Sequence, residues 1–142
     1  LQTMMQFIHD HYREEITLER IADSASVSKS GALHIFQSGI QISPVAYLIR
    51  YRLAVAAELL YTTRKSISAI AEETGFASAG YFCRKFRQHY HMSAITYRKK
   101  KGAKQIKTGN MDTFDCYAPS IEKVYLRLLL FSKAWIQSDF RK

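Results

Sequence analysis

Ser28, Phe36, Ser43 and Tyr47 recur fifty residues further along as Ser78, Phe86, Ser93 and Tyr97. Ile42 is answered by Met92, and Ile21-Ala22 by Ile70-Ala71. A chain with an internal repeat folds as repeated units, and this limits the architecture before any finer reading begins. Each copy reads as a short apolar helix, a tight turn and a second helix that opens on a serine. That is the layout of a helix-turn-helix unit.

The rest of the chain fits helices best. Two prolines and six glycines are spread over 142 residues, and no strand-like alternation runs for long. Hydrophobic residues make up 47%, enough for a packed core. An all-α fold follows. The charge is +9 overall but unevenly placed. Residues 1–27 carry two basic and five acidic side chains, residues 28–107 fourteen and three, and residues 108–142 five and four. The positive charge therefore lies over the repeats and favours a polyanion, either nucleic acid or an anionic membrane surface. A merely solvated surface is the plainer alternative.

Cys83 and Cys116 form neither a CxxC nor a zinc-type spacing, which fits a reducing cytosol. No signal peptide and no charge-free membrane span is expected. Leu1 already reads as helical, so a domain is expected upstream. His9 and His11, and likewise His89 and His91, form two HxH pairs. On a helix, i and i+2 point in nearly opposite directions, so neither pair chelates a metal by itself. No phosphate-binding glycine loop and no acid/base pair emerges. No cofactor, no metal site and no enzymatic activity are expected.

The predicted elements are a helix over 3–12 and one over Leu18–Ala25 capped by Thr17. A third opens on Ser28, with Ala32, Ile35 and Phe36 inward. Ser43-Pro44 starts a helix that runs without a breaker to Tyr61. Ser66 caps another short helix, after which Gly75 stands where positive φ is required. Ser78 opens a helix with Tyr81, Phe82, Phe86 and Tyr90 on its apolar side. Ser93 caps a last short helix that ends in Arg98–Lys101. Residues 102–120 read as linker, and residues 121–142 as an apolar C-terminal helix that buries itself against the body or another chain. The expected domain covers 1–101, with lobe one at about 1–42, a linker helix over 43–62 and lobe two over 63–101.

Between Ile16 and Arg98 the chain resembles the DNA-binding domain of the AraC/XylS family of bacterial transcription regulators. The strings ITLERIADSASVSKS, SPVAYLIRYRLAVAAELL, SISAIAEETGF, YFCRKF and MSAITYR carry the resemblance. It implies seven helices forming two helix-turn-helix subdomains joined by a long helix, a homeodomain-like tandem. It also implies a sequence-specific regulator that binds double-stranded DNA, acts as an activator and reads two adjacent major-groove segments. Double-stranded DNA is the expected partner, with RNA polymerase and an upstream effector domain beside it. A homodimer through 121–136 and a cytoplasmic, nucleoid-associated location complete the expectation. The physics is compatible. Successive major grooves on one face lie about 34 Å apart, and a connector of about 27 Å plus its flanking turns suits that distance. The same segment could equally be a core helix, and the two roles do not conflict.

By resemblance, Ser30 and His34 on the first reader, and Ala79, Gly80 and Arg84 on the second, match base-facing positions. Arginine can grip guanine O6 and N7 with two bonds, whereas histidine makes fewer. Arg84 is therefore the main candidate for direct readout. Ser28, Lys29, Gln37, Ser78, Lys85 and Arg87 are the candidate phosphate contacts, although such serines are more often plain caps and an arginine can simply be solvated. Gly31, read as lying mid-helix, weakens the first lobe. Gln41 and His91 replace the glycine that follows each reader in the family, and Ala94 replaces a proline. Positive φ at Gln41 or His91 would be strained, so both turns are expected to be looser or rebuilt. A second reading is a helical protein-interaction module with reduced DNA binding that assembles through the C-terminal tail. The glycine in the first reader and the apolar tail motivate it.

Overall fold

Serine and threonine caps punctuate the chain. In the computed structural model, which describes residues 1–107 and the side chains of residues 1–100, seven helices follow one another. They are α1 (Gln2–His11), α2 (Leu18–Asp23), α3 (Lys29–Ile40), α4 (Pro44–Thr62), α5 (Ile67–Glu73), α6 (Ala79–Tyr90) and α7 (Ala94–Lys107). Thr17 caps α2, accepting from the Arg20 N–H. Ser28, Ser43, Ser66, Ser78 and Ser93 each accept, at 3.1 Å, from the backbone N–H three residues on. Such caps satisfy donors that the helix leaves orphaned, at about 1 kcal/mol each. The expected C-terminal helix over 121–142 lies outside the described residues. α7 runs past Lys101 as far as Lys107, into the stretch read as linker. Nothing from Ile95 to Lys101 breaks a helix, and neither does a lone glycine at 102.

Two apolar cores form. The first gathers Met4, Ile8, Ile21, Ala22, Ala32, Phe36, Tyr47 and Leu48. The second gathers Leu53, Ala56, Ala57, Leu60, Ile70, Ala71, Phe76, Phe82, Phe86, Ala94 and Tyr97. α4 serves both, giving its N-terminal half to the first and its C-terminal half to the second. Its 19 residues span about 28 Å. The helix is thus a shared wall as well as a connector, so it cannot swing without disturbing one core or the other.

The turns repeat as closely as the helices. α2 ends on a Schellman closure, with the Val27 N–H donating to Ala22 O at 3.1 Å and the Ser26 N–H to Asp23 O at 3.0 Å. α5 ends the same way, through Phe76 to Ala71 at 2.9 Å and Gly75 to Glu72 at 3.0 Å. The left-handed position is Gly75 (φ +81°) in the second lobe but Ser26 (φ +54°) in the first. This closure also explains why α2 stops at Asp23 and does not continue to Ala25.

The turns that follow the readers overturn one expectation. Gln41 (φ 58°, ψ 23°) and His91 (φ 56°, ψ 22°) both take the left-handed conformation. Their N–H groups donate to Gln37 O at 3.1 Å and Arg87 O at 2.9 Å. Neither turn is looser or rebuilt. The cores on each side, together with the serine caps at Ser43 and Ser93, fix the path of the chain and impose the strained φ on whatever residue stands there. Gly31 also differs from its reading. It is the third residue of α3, where its N–H is the one Ser28 caps, and so it lies in the first turn and not mid-helix.

Candidate nucleic-acid interface

α3 and α6 are set into their cores by the same register. Ala32 and Phe36 are fully buried on α3, and their repeat partners Phe82 and Phe86 are fully buried on α6. From Ser30 to Ile40 and from Gly80 to Tyr90, buried, half-buried and exposed positions follow in identical order. The outward face of each helix is thus fixed by an i, i+4 pair of core side chains.

On α3 that outward face presents Lys29, Ser30, Leu33, His34 and Gln37, with Ser28 exposed at the cap. Its one cation is engaged, because the Lys29 ammonium pairs with the Glu19 carboxylate of α2. That pairing holds the Glu19 carboxyl below its ordinary range. Both partners are well exposed, so the pair is weak and a phosphate can compete for the lysine. Sequence reasoning passed over Leu33. It is 41% exposed, apolar and on the reader face, and its repeat partner is the exposed Cys83.

On α6 the outward face is richer in charge. Gly80, Arg84 and Arg87 are exposed, as is Ser78 at the cap. A Cβ at Gly80 would meet nothing within 4 Å, so the backbone there is open to close approach. Ala79 is half-buried and packs against the second core, at the edge of the outward face. Lys85, at the position matching Ile35, is half-buried as well. Arg84 and Lys85 both lean on one ring, with the Arg84 guanidinium carbon 5.4 Å and the Lys85 ammonium 5.6 Å from the centre of Tyr81. Among the described residues, neither these two nor Arg87 pairs with a carboxylate. Tyr81 was read only as apolar. Its spacing of three and four from the two cations was the signal for a cation–π platform that orders them on the reader face.

Two of the remaining histidines are occupied elsewhere. His9 shares a 2.7 Å hydrogen bond with the Tyr47 hydroxyl and stacks on Tyr51 at 4.2 Å. His11 contacts Glu14 at 2.9 Å. Burial, with help from Arg50 and His91, lowers the pKa of His89, so the exposed Arg50 of α4 lies near the end of α6. Among the described residues no cluster of three or more metal-ligating side chains forms, and no helix is long and apolar enough to cross a membrane.

Two units with matching readers, matching turns and a shared helix invite comparison with known proteins. The helix-turn-helix domain family matches residues 21–100. A solved structure described as a probable AraC family transcriptional regulator from Rhodopseudomonas palustris superposes with a TM-score of 0.65 at 25% identity, over 70% of this chain and 94% of that one. The chain belongs to the AraC-type helix-turn-helix family. The DNA-binding domain of AdpA, solved in complex with a target DNA, gives a TM-score of 0.69 at 26% identity, over 74% of this chain and 95% of that one. The lactose operon transcription activator of Staphylococcus xylosus is 32% identical over 98 residues, which cover 69% of this chain and 35% of that protein. The chain spans about a third of the length of the curated relatives it matches.

Proposed function

We propose that this AraC-type domain binds double-stranded DNA by sequence and regulates transcription, with α3 and α6 entering adjacent major-groove segments. One observation carries the reading. Two helices in the same burial register turn their polar faces away from two cores built on one shared helix. The solved AdpA relative, of the same fold and bound to its target DNA, supports it. In this reading Arg84 and Gly80 face bases on the second lobe, with Ala79 beside them at the half-buried edge of that face, and Ser30 and His34 face bases on the first. Ser28, Lys29, Gln37, Ser78, Lys85 and Arg87 hold phosphates. Phosphate contacts set register and most of the affinity, while base-edge contacts discriminate. The second lobe is the stronger reader, because its three cations are free of carboxylates whereas Lys29 is shared with Glu19.

The longer protein would act as an activator, as the Staphylococcus xylosus relative is named. It would work in the cytoplasm at the nucleoid, with RNA polymerase as partner and an effector domain outside these 142 residues. The protein-interaction reading loses one of its two supports, since Gly31 sits in a capped first turn, and its other support lies outside the described residues. Selection of bound sites from random duplex tests the proposal. The expected result is a motif with two half-sites one turn apart and the greater information under the second lobe. Recovery of no enriched motif would contradict it.

A further inference from the structure

Among the described residues the two cores share α4 alone. Although α4 is packed on both sides, flexing of that one helix would still let the lobes shift against each other, because small interfaces between units permit relative motion. Here a polar junction crosses the seam. Arg52, on the part of α4 that has reached the second core, donates from Nε to Tyr12 O and from Nη2 to Glu14 O, both at 2.7 Å. Those carbonyls belong to the α1–α2 loop of the first lobe. On the other side, the guanidinium lies 6.0 Å from the ring centre of Phe76, a member of the second core. Gly75, the left-handed residue of the second lobe's turn, closes the seam. A Cβ there would stand 2.6 Å from Tyr12 O, 2.9 Å from Arg13 O and 3.0 Å from Arg52 Nη2. Arg13 of the first lobe and Glu73 of α5 attract one another across the same line.

The second lobe shows the same device turned inward. Arg98 of α7 donates from Nε to Leu60 O at 2.9 Å and from Nη2 to Lys65 O at 2.6 Å, so it ties the last turn of α4 to the α4–α5 loop within its own lobe. Its repeat partner in sequence is Leu48, which is buried in the first core. The first lobe's arginine fork therefore comes from one helical turn further along α4, beyond the first core and beside Gly75.

We propose that Arg52 and Gly75 are positioning residues that lock the two lobes and so set which spacing of DNA half-sites the pair of readers accepts. This rests on the two-reader function proposed above. Its test is arranged so that the lock and the function fail separately. Spin labels at Ser38→Cys and Gln88→Cys, exposed repeat-related positions on α3 and α6, in a Cys83→Ser, Cys116→Ser background of the whole chain, report the lobe-to-lobe distance without DNA. The wild-type sequence gives one narrow distribution. Arg52→Lys keeps the charge but cannot bridge both carbonyls, and it broadens or shifts the distribution. Gly75→Asn does the same, since asparagine tolerates the left-handed backbone but brings a Cβ into the Tyr12 and Arg13 carbonyls. A distribution unchanged in both variants overturns the lock, whatever the DNA result. On duplexes whose two half-sites are moved one base pair at a time, both variants lose the preference for a single spacing while binding to an isolated half-site is retained. A spacing preference kept by both variants also overturns it.

Discussion

In the proposed function Arg84 and its neighbours divide the work by reach. Arg84 is exposed on the outward face of α6 and leans on Tyr81; the proposed role is a pair of bonds to one guanine edge. Arg84→Ala is expected to cost about 1–3 kcal/mol and to relax discrimination at a single base pair. Lys85→Ala and Arg87→Ala are expected to weaken every site alike and flatten the dependence of affinity on salt. Competition binding with single-base variants of the selected site separates the two outcomes. If Arg84→Ala lowered all sites equally, Arg84 would be a phosphate contact only. On the first reader, Glu19→Gln is expected to tighten binding at low salt, because it releases Lys29 and removes a negative charge beside the DNA. The gain should shrink as salt rises. An unchanged affinity would mean that Lys29 does not reach phosphate.

At the scale of elements, the two reader turns hold stored strain. Gln41 and His91 sit in a conformation that a Cβ disfavours by about 1–2 kcal/mol, and glycine would relieve it at some cost in unfolded-state entropy. Gln41→Gly and His91→Gly are each expected to raise stability by about 0.5–1 kcal/mol, read as an upward shift of the denaturation midpoint at constant slope. The α1–α4 packing adds a pH dependence. Burial depresses the pKa of His9, against a smaller opposing pull from Asp10. The unfolded chain therefore takes up a proton near pH 6.5 that the folded chain refuses. Stability should be full above about pH 6.5, fall as the pH drops below it, and level off once the folded pKa is passed. His9→Asn should reduce the slope of that profile in denaturation midpoints measured between pH 8 and pH 5, leaving the part contributed by His89, whose pKa is also lowered.

For the molecule as a whole, what could be read from sequence was what is local. The serine caps, Pro44 at the head of α4 and the spacing of Phe36 and Phe86 are decided within one or two turns of chain, and the two-lobed architecture follows from their repetition. The exceptions are contacts between elements. Lys29 meets Glu19 from the neighbouring helix, Ala79 rolls toward the second core, and Arg52 reaches back forty residues to Tyr12. None of these has a signature in nearby residues. Gln41 and His91 were misjudged for the same reason, since intrinsic preference spoke against a conformation that tertiary packing enforces.

Two readers held at a fixed spacing remain the centre of the account. Hydroxyl-radical footprinting of the chain on its selected duplex measures that arrangement directly. Two protected patches on one face, separated by about one helical turn of 10–10.5 base pairs, are the predicted result. A single patch, or two patches on opposite faces of the duplex, would contradict it.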